Sequence, residues 1–366
     1  MRSECQPVLA TLSPHTSFTL GEGNTPLIPS RFIGPAWGLR HLFFKLETVN
    51  PTGSYKDRFA AAAIADMRAK GKLHVVATSS GNAGAALAAY AAAAGMTCTI
   101  AVVEGAPEGK LRQMDAYGAD ICKIEGFGLD SQITQNTFDF LQQAGAQDDT
   151  QLQISAYRHS PVGMAGVEAI SHEIAAQLKP RKQPIDHVFT CAGGGGLTLA
   201  VARGFAACMS QGALESSPRV HCVQPRGNNT IAGPLRAGKT AAKSVACTTS
   251  ISGLQVASVI DGNETIAACR QSGGTGFLVD DADVYQLQKD LAAREGIFSE
   301  PAGAVPLAGL KQALAEGMIS PDSVVVCLVT GTGFKDLDSF GGTDCPTLSL
   351  AQFQSRLKQR QPHANS

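Results

Sequence analysis

Lys56 stands in Asn50-Pro51-Thr52-Gly53-Ser54-Tyr55-Lys56-Asp57-Arg58, where a turn-forming run gives way to an apolar, alanine-rich stretch from Phe59 to Ala69. Pro and Gly punctuate the chain just before that stretch, which reads as a helix, so Lys56 falls at a loop–helix junction. An amine there is partly shielded and close to the positive end of a helix dipole, and both effects favour its neutral form. A neutral lysine can condense with an aldehyde to form a Schiff base. Taken alone, the position also suits a solvated surface charge. Three other loops bear on the choice.

Thr78-Ser79-Ser80-Gly81-Asn82-Ala83-Gly84 lies between an expected strand and an expected helix. Amides at a helix N-terminus, two serine hydroxyls and an asparagine side chain suit a carboxylate, and they equally suit an ordinary N-cap turn. Cys191-Ala192-Gly193-Gly194-Gly195-Gly196-Leu197 also follows a strand and opens a helix. Four glycines let successive N–H groups face one anion with no side chain in the way, which points to phosphate. Val329-Thr330-Gly331-Thr332-Gly333-Phe334-Lys335-Asp336 ends the last apolar strand. It sets hydroxyls at the sheet edge where open α/β folds bind ligands, although a plain turn fits as well.

Other familiar constellations fail. Gly233 to Thr240 matches the Walker A spacing but lacks a strand directly before it and a long helix after it, so no ATP site is expected. His172-Glu173 is followed by alanine at position 176, which removes the HExxH zinc pattern, and there is no GxSxG elbow.

The elements that must position these loops alternate regularly. Helix 57–70, strand Leu73–Thr78, helix 82–94, strand Thr97–Val103, helix 107–117, strand Ile121–Ile124 and helix 130–143 come first, and the polar stretch Gly145–Thr150 closes the unit. Helix 161–178, strand His187–Cys191, helix 195–208 and strand Val220–Gln224 follow. An irregular stretch runs to about 270 before strand Phe277–Val279, helices 282–294 and 301–316, and strand Val324–Val329. A short helix at Leu348–Lys358 with a fraying tail ends the chain. Short apolar strands between helices predict an α/β protein of two doubly wound parallel sheets with a ligand cleft between them.

Composition agrees with a compact enzyme. The 366 residues are 44% hydrophobic and 17% charged, which gives a sizeable core and argues against disorder. A net charge of −1 leaves no basic face for nucleic acid. No stretch reads as a membrane span or a secretory signal. The ten cysteines form no CxxC pair, and several lie in apolar runs, as reduced thiols of a cytoplasmic protein would.

Taken together, NPTGSYKDR, SSGNAG, GGGGL and TGTGFKD resemble, in order and rough spacing, the fold-type II pyridoxal-phosphate enzymes of the tryptophan synthase β-like superfamily. The resemblance runs from about Gly21 to Asp336. GEGNTPL, the lysine motif and TGTGFKD look like threonine synthase. GGGGL and Glu300-Pro301-Ala302-Gly303-Ala304-Val305 look closer to serine/threonine dehydratases.

The resemblance implies that Lys56 binds the cofactor aldehyde and shuttles the α-proton. Asn82 would meet the cofactor's 3′-oxygen, Gly193, Gly194, Gly195, Gly196 and Leu197 its phosphate, and Thr330 its pyridine nitrogen. Ser79, Ser80, Gly81, Asn82 and Ala83 would hold the substrate carboxylate. A neutral hydroxyl at the ring nitrogen makes the ring a weaker electron sink, which suits elimination or replacement over transamination. Tyr55 replaces the phenylalanine common before the lysine. The resemblance further implies a small domain over residues 67–155 inserted into a large one of 1–66 and 156–366, a homodimer, and a small amino-acid substrate. O-phosphohomoserine is the leading candidate. A hydroxy-amino acid undergoing dehydration, a β-replacement reaction and a catalytically silent cofactor-binding protein are the alternatives.

Overall fold

The computed structural model describes residues 18–358, apart from 107, 182 and 343. The expected leaderless N-terminus, the first residue of helix 107–117 and the tail beyond Lys358 lie outside the described residues. In chain order the elements begin with β1 (Leu27–Pro29), α1 (Ile33–Ala36), β2 (His41–Leu46) and α2 (Lys56–Ala69). Next come β3 (His74–Thr78), α3 (Asn82–Ala93), β4 (Thr97–Val103), α4 (Glu108–Ala116), β5 (Asp120–Ile124), α5 (Ser131–Ala144) and β6 (Thr150–Gln153). The chain continues through α6 (Pro161–Val167), α7 (Ala169–Leu178), β7 (His187–Cys191), α8 (Gly196–Ser210), β8 (Arg219–Pro225), α9 (Ala232–Arg236) and α10 (Gly262–Gln271). It closes with β9 (Gly276–Val279), α11 (Asp281–Asp290), α12 (Pro301–Ala315), β10 (Val324–Val329) and α13 (Leu350–Lys358).

The strands form two sheets. One has four parallel strands in the order β5-β4-β3-β6, and the other has six in the order β1-β2-β10-β7-β8-β9. Within the larger sheet every pairing is parallel except β1 on β2, where Leu27 faces Lys45. All residues of β7 and β10 are buried. Their sequences, HVFTC and VVVCLV, carry the near-continuous apolar run of strands covered on both faces. The alanine-rich α3 is buried almost all round, and its largest side chain, Tyr90, donates from its hydroxyl to Glu22 at 2.8 Å.

The sequence reading differs from the structure where local patterns are weak. Strand β6 begins inside the stretch expected to close the first unit, because a polar four-residue strand gains its bonds from β3. The expected helix 161–178 breaks at Glu168 into α6 and α7, where the Glu168 carbonyl is pressed against Gly204 of α8. Helices α9 and α10 occupy the stretch read as irregular, and α11 ends in a π turn over Leu291–Glu295. The Walker-like stretch begins in α9, a five-residue helix. Nine cysteines among the described residues are free, with Cys98, Cys191, Cys222 and Cys327 buried. Among the described residues, no helix is long and apolar enough to cross a membrane.

Each chemistry-bearing loop leaves the carboxyl end of a parallel strand. Ser79–Gly81 follows β3, Ser155 follows β6, the glycine run follows β7 and Thr330 follows β10. That is the edge at which open α/β sheets collect ligands.

Candidate active site

The lysine loop is built by its own residues. Gly53 N donates to Asn50 O at 2.8 Å, closing the Asn50–Gly53 turn. Gly53 sits at φ 87°, and a Cβ there would stand 2.7 Å from Thr332 Cγ2. Asp57, in the first turn of α2, accepts from Thr52 N at 2.9 Å and Thr52 Oγ1 at 2.8 Å, so the helix start clamps the turn before it. Tyr55 N donates to Thr330 O and Thr332 N to Gly53 O, which ties this loop to the one after β10. Lys56 is thereby held at the first position of α2.

Its amine donates to Ser155 Oγ at 2.6 Å and lies 4.7 Å from the centre of the Tyr55 ring. Loss of hydration lowers its pKa from 10.5 to about 8, against the opposing pull of nearby acids that include Glu300 and Asp261. A tenth or so of such an amine is unprotonated one pH unit below that value, enough to act as nucleophile or base.

Glu300, at the N-cap of α12, joins the other loops. Its Oε1 accepts from Thr330 Oγ1 at 2.9 Å, and its two oxygens accept from Asn82 Nδ2 at 3.1 and 2.8 Å. Burial raises the pKa of its carboxyl, and the Asn82 and Thr330 bonds work against that rise. Lys335 adds a second amine nearby. It donates to Gln113 Oε1 at 2.5 Å, and Gln113 in turn donates to Thr52 O at 3.1 Å. Burial lowers the Lys335 pKa, while Glu300 and Asp57 oppose it.

The glycine run reaches Lys56 through Met164 and Ser155. Gly195 caps α8 at φ 100°, and a Cβ there would fall 2.4 Å from Thr265 Oγ1. Leu199 N closes a helical bond to Gly195 O, which leaves the amides ahead of it as orphan helix-start donors. A Cβ on Gly196 would meet Met164 Cε at 3.0 Å, and Met164 Sδ lies 3.5 Å from Ser155 Oγ, the partner of Lys56. Asp261 braces the same region by accepting from the amides of Tyr157 and Arg158 at 2.8 and 3.1 Å.

Lys56, Asn82, Thr330 and Gly193–Gly196 therefore converge through Ser155, Met164 and Glu300. Leu197 is buried in the core, so only its backbone can face a ligand. Ser79, Ser80 and Gly81 are half-buried and Ala83 is buried, with Ser79 Oγ accepting from Gly81 N at 3.3 Å. Their link to the rest of the site runs through Asn82. Sequence reasoning missed Glu300, Ser155 and Lys335 as parts of the site. Glu300 had a signal, an acid directly before a helix-starting proline in a segment already singled out. Ser155 had none, because the strand before it went unread.

A glycine cradle with orphan amides, an amide beside it and a lysine of lowered pKa fit a phosphorylated aldehyde. Known proteins agree. The family described as "Pyridoxal-phosphate dependent enzyme" matches residues 18–331. A threonine synthase of Methanocaldococcus jannaschii is 32% identical over 326 residues, 88% of this chain and 77% of that protein. One of Mycobacterium tuberculosis is 33% identical over 336 residues, 91% and 88% of the two chains. Among solved structures, the diaminopropionate ammonia lyase of Escherichia coli has TM-score 0.73 at 19% identity, covering 89% of each chain. Threonine deaminase isoform 2 of Solanum lycopersicum has TM-score 0.69 at 21% identity, covering 91% of this chain and 82% of its own. The chain belongs to the pyridoxal-phosphate-dependent enzymes.

Proposed function

We propose that this pyridoxal-phosphate-dependent lyase removes a β- or γ-leaving group from a small amino acid, with threonine synthase-type conversion of O-phosphohomoserine to threonine and phosphate as the leading reaction. The observation that carries elimination is the Lys56 amine, held by a neutral hydroxyl and softened to a pKa of about 8. The substrate assignment rests on similarity to threonine synthases along most of the chain.

When bound, the cofactor supplies an aldehyde and an electron-withdrawing ring. The orphan amides of Gly193–Gly196 would receive its phosphate, Asn82 its 3′-oxygen and Thr330 its ring nitrogen. Lys56 would take the proton from the substrate α-carbon and return it, with Ser155 Oγ holding the amine in place between transfers. The hydroxyls of Ser79 and Ser80 and the amides at the start of α3 would take the substrate carboxylate, an anion suited to a helix N-terminus. Glu300 would fix both Asn82 and Thr330. Its carboxyl behind the Thr330 hydroxyl modifies the simple picture of an isolated neutral group at the ring nitrogen.

Dehydration of a hydroxy-amino acid is the second reading, favoured by the four-glycine loop. A small domain over 67–155, a homodimer and a cytoplasmic location complete the proposal. Purified holoenzyme given O-phosphohomoserine, threonine, serine and 3-hydroxyaspartate tests it. Phosphate together with threonine is expected. Ammonia and a 2-keto acid without phosphate would establish the dehydratase, and silence on all four would overturn both.

A further inference from the structure

Strand β7 has a feature at each end. At its carboxyl end lies the glycine run. At its amino end, roughly 13 Å away for a strand rising about 3.3 Å per residue, a cavity of about 410 Å³ opens beside the starts of β7, β8 and β10. The volume suits a small metabolite. Its lining is mostly polar, with Asp186, His187, Ser217, Arg219 and Ser323 among the walls and Met318 as an apolar side.

Hydrogen bonding fixes what this cavity offers. Thr275 N donates to His221 Nδ1 at 3.1 Å, so the proton of neutral His221 sits on Nε2. That Nε2–H faces His187 Nδ1 at 2.9 Å, which makes Nδ1 of His187 the acceptor and places its own proton on Nε2. His187 is 3% exposed, and its Nε2–H has no acceptor among the described residues. Burial first, then the nearby Arg219, lowers the His187 pKa to about 4 despite Asp186, so the ring stays a neutral donor near pH 7.

The two charged walls complete the pattern. Asp186 spends Oδ2 on Val324 N at 2.8 Å and leaves Oδ1 without a partner among the described residues. Arg219 N donates to Asp186 O at 2.9 Å, so the two residues are neighbours across β7 and β8. Yet no ion pair joins their side chains among the described residues, nor does either side chain pair with another charge there. A cation and an anion thus border one polar cavity without neutralising each other.

We propose that this cavity is a second small-molecule site that takes a zwitterionic amino acid, its carboxylate on Arg219 and His187 Nε2–H and its ammonium on Asp186 Oδ1. Arginine suits the carboxylate because its planar fork can donate two bonds at once. The site lies at the opposite edge of the sheet from the cofactor, so occupancy leaves the cofactor's absorption unchanged.

Equilibrium dialysis of holoenzyme with labelled L-alanine, which lacks a leaving group, tests this alongside the absorption spectrum. One equivalent that binds without altering the spectrum is expected. Arg219→Met and Asp186→Asn, both outside the catalytic cleft, should each weaken it about tenfold, the scale of a lost charge-assisted bond, while turnover persists. Absence of a spectrally silent equivalent overturns the proposal, as does its survival in both variants. Acetate or methylamine binding as tightly as L-alanine would overturn recognition of a zwitterion.

Discussion

Lys56 and Arg58 lie two residues apart in the first turn of α2, and the fold treats their charges in opposite ways. Two residues along a helix rotate a side chain by about 200°, so the pair face different surroundings. Lys56 meets one neutral hydroxyl and the face of the Tyr55 ring. Arg58 is enclosed by two carboxylates. Its Nε and Nη2 donate to Glu47 at 2.7 and 2.8 Å, and its Nη1 and Nη2 to Glu173 at the same two distances. Lys45 then donates to Glu173 at 2.6 Å and to Thr25 O at 2.8 Å.

The titration shifts follow the pairing. Burial would raise Glu173, but Arg58 and Lys45 bring it down to about 2. Burial likewise disfavours charge on Arg58, yet Glu47 and Glu173 hold its pKa above the ordinary arginine value. Lys56 lacks such partners and moves downward. Lys56 has acids near it but no carboxylate in ion-pair contact, whereas Arg58 has two. The two belong to one mechanical unit, because the anchored helix fixes where the Lys56 amine points.

Removing each partner separates the two roles. Lys56→Ala should lower turnover by about a thousandfold or more, the scale of a lost base and covalent anchor, while thermal unfolding stays within about 1 kcal/mol of wild type. Loss of more stability than that would make Lys56 structural. Arg58→Met should do the reverse. It strands the buried carboxylate of Glu47 and leaves Glu173 to Lys45 alone, at a cost of about 3–5 kcal/mol, read from urea unfolding at pH 7. An unchanged midpoint would mean that the cluster contributes nothing.

Glu300→Gln lies between these extremes. The amide keeps an acceptor for Asn82 or Thr330 but not the charge, so cofactor affinity should fall about tenfold. Equal affinity in titrations of the apoprotein would show that Glu300 does not organise the cofactor site.

The smallest effect is on pH dependence. The Lys56 amine titrates at about 8 when folded against 10.5 unfolded, so the unfolded chain binds the extra proton between those values. This group's contribution to stability should therefore increase as pH rises through that window. Unfolding of apoprotein and of the Lys56→Met variant, compared at pH 7 and 10, reads the difference, and parallel slopes would refute it. Capture of the cofactor by apoprotein should quicken through pH 8 for the same reason.

The alternation of apolar strands and helices, the lysine at a helix start and the glycine run were all legible in the sequence, because each depends on residues close together in the chain. A turn needs its Pro and Gly, a buried parallel strand its Val and Ile, and an anion loop its missing side chains. The sequence by itself also brought out the four motifs whose order resembles the pyridoxal-phosphate enzymes. Only the tertiary structure decided which residues surround Lys56. Ser155 lies 99 positions away and Glu300 bonds to Asn82 across 218. The polar strand β6, the split of α6 from α7 and the paired charges around Arg58 likewise arise from long-range packing. Hydrogen-bond partners and lost hydration are set by what the folded chain brings near, and local patterns carry no record of that.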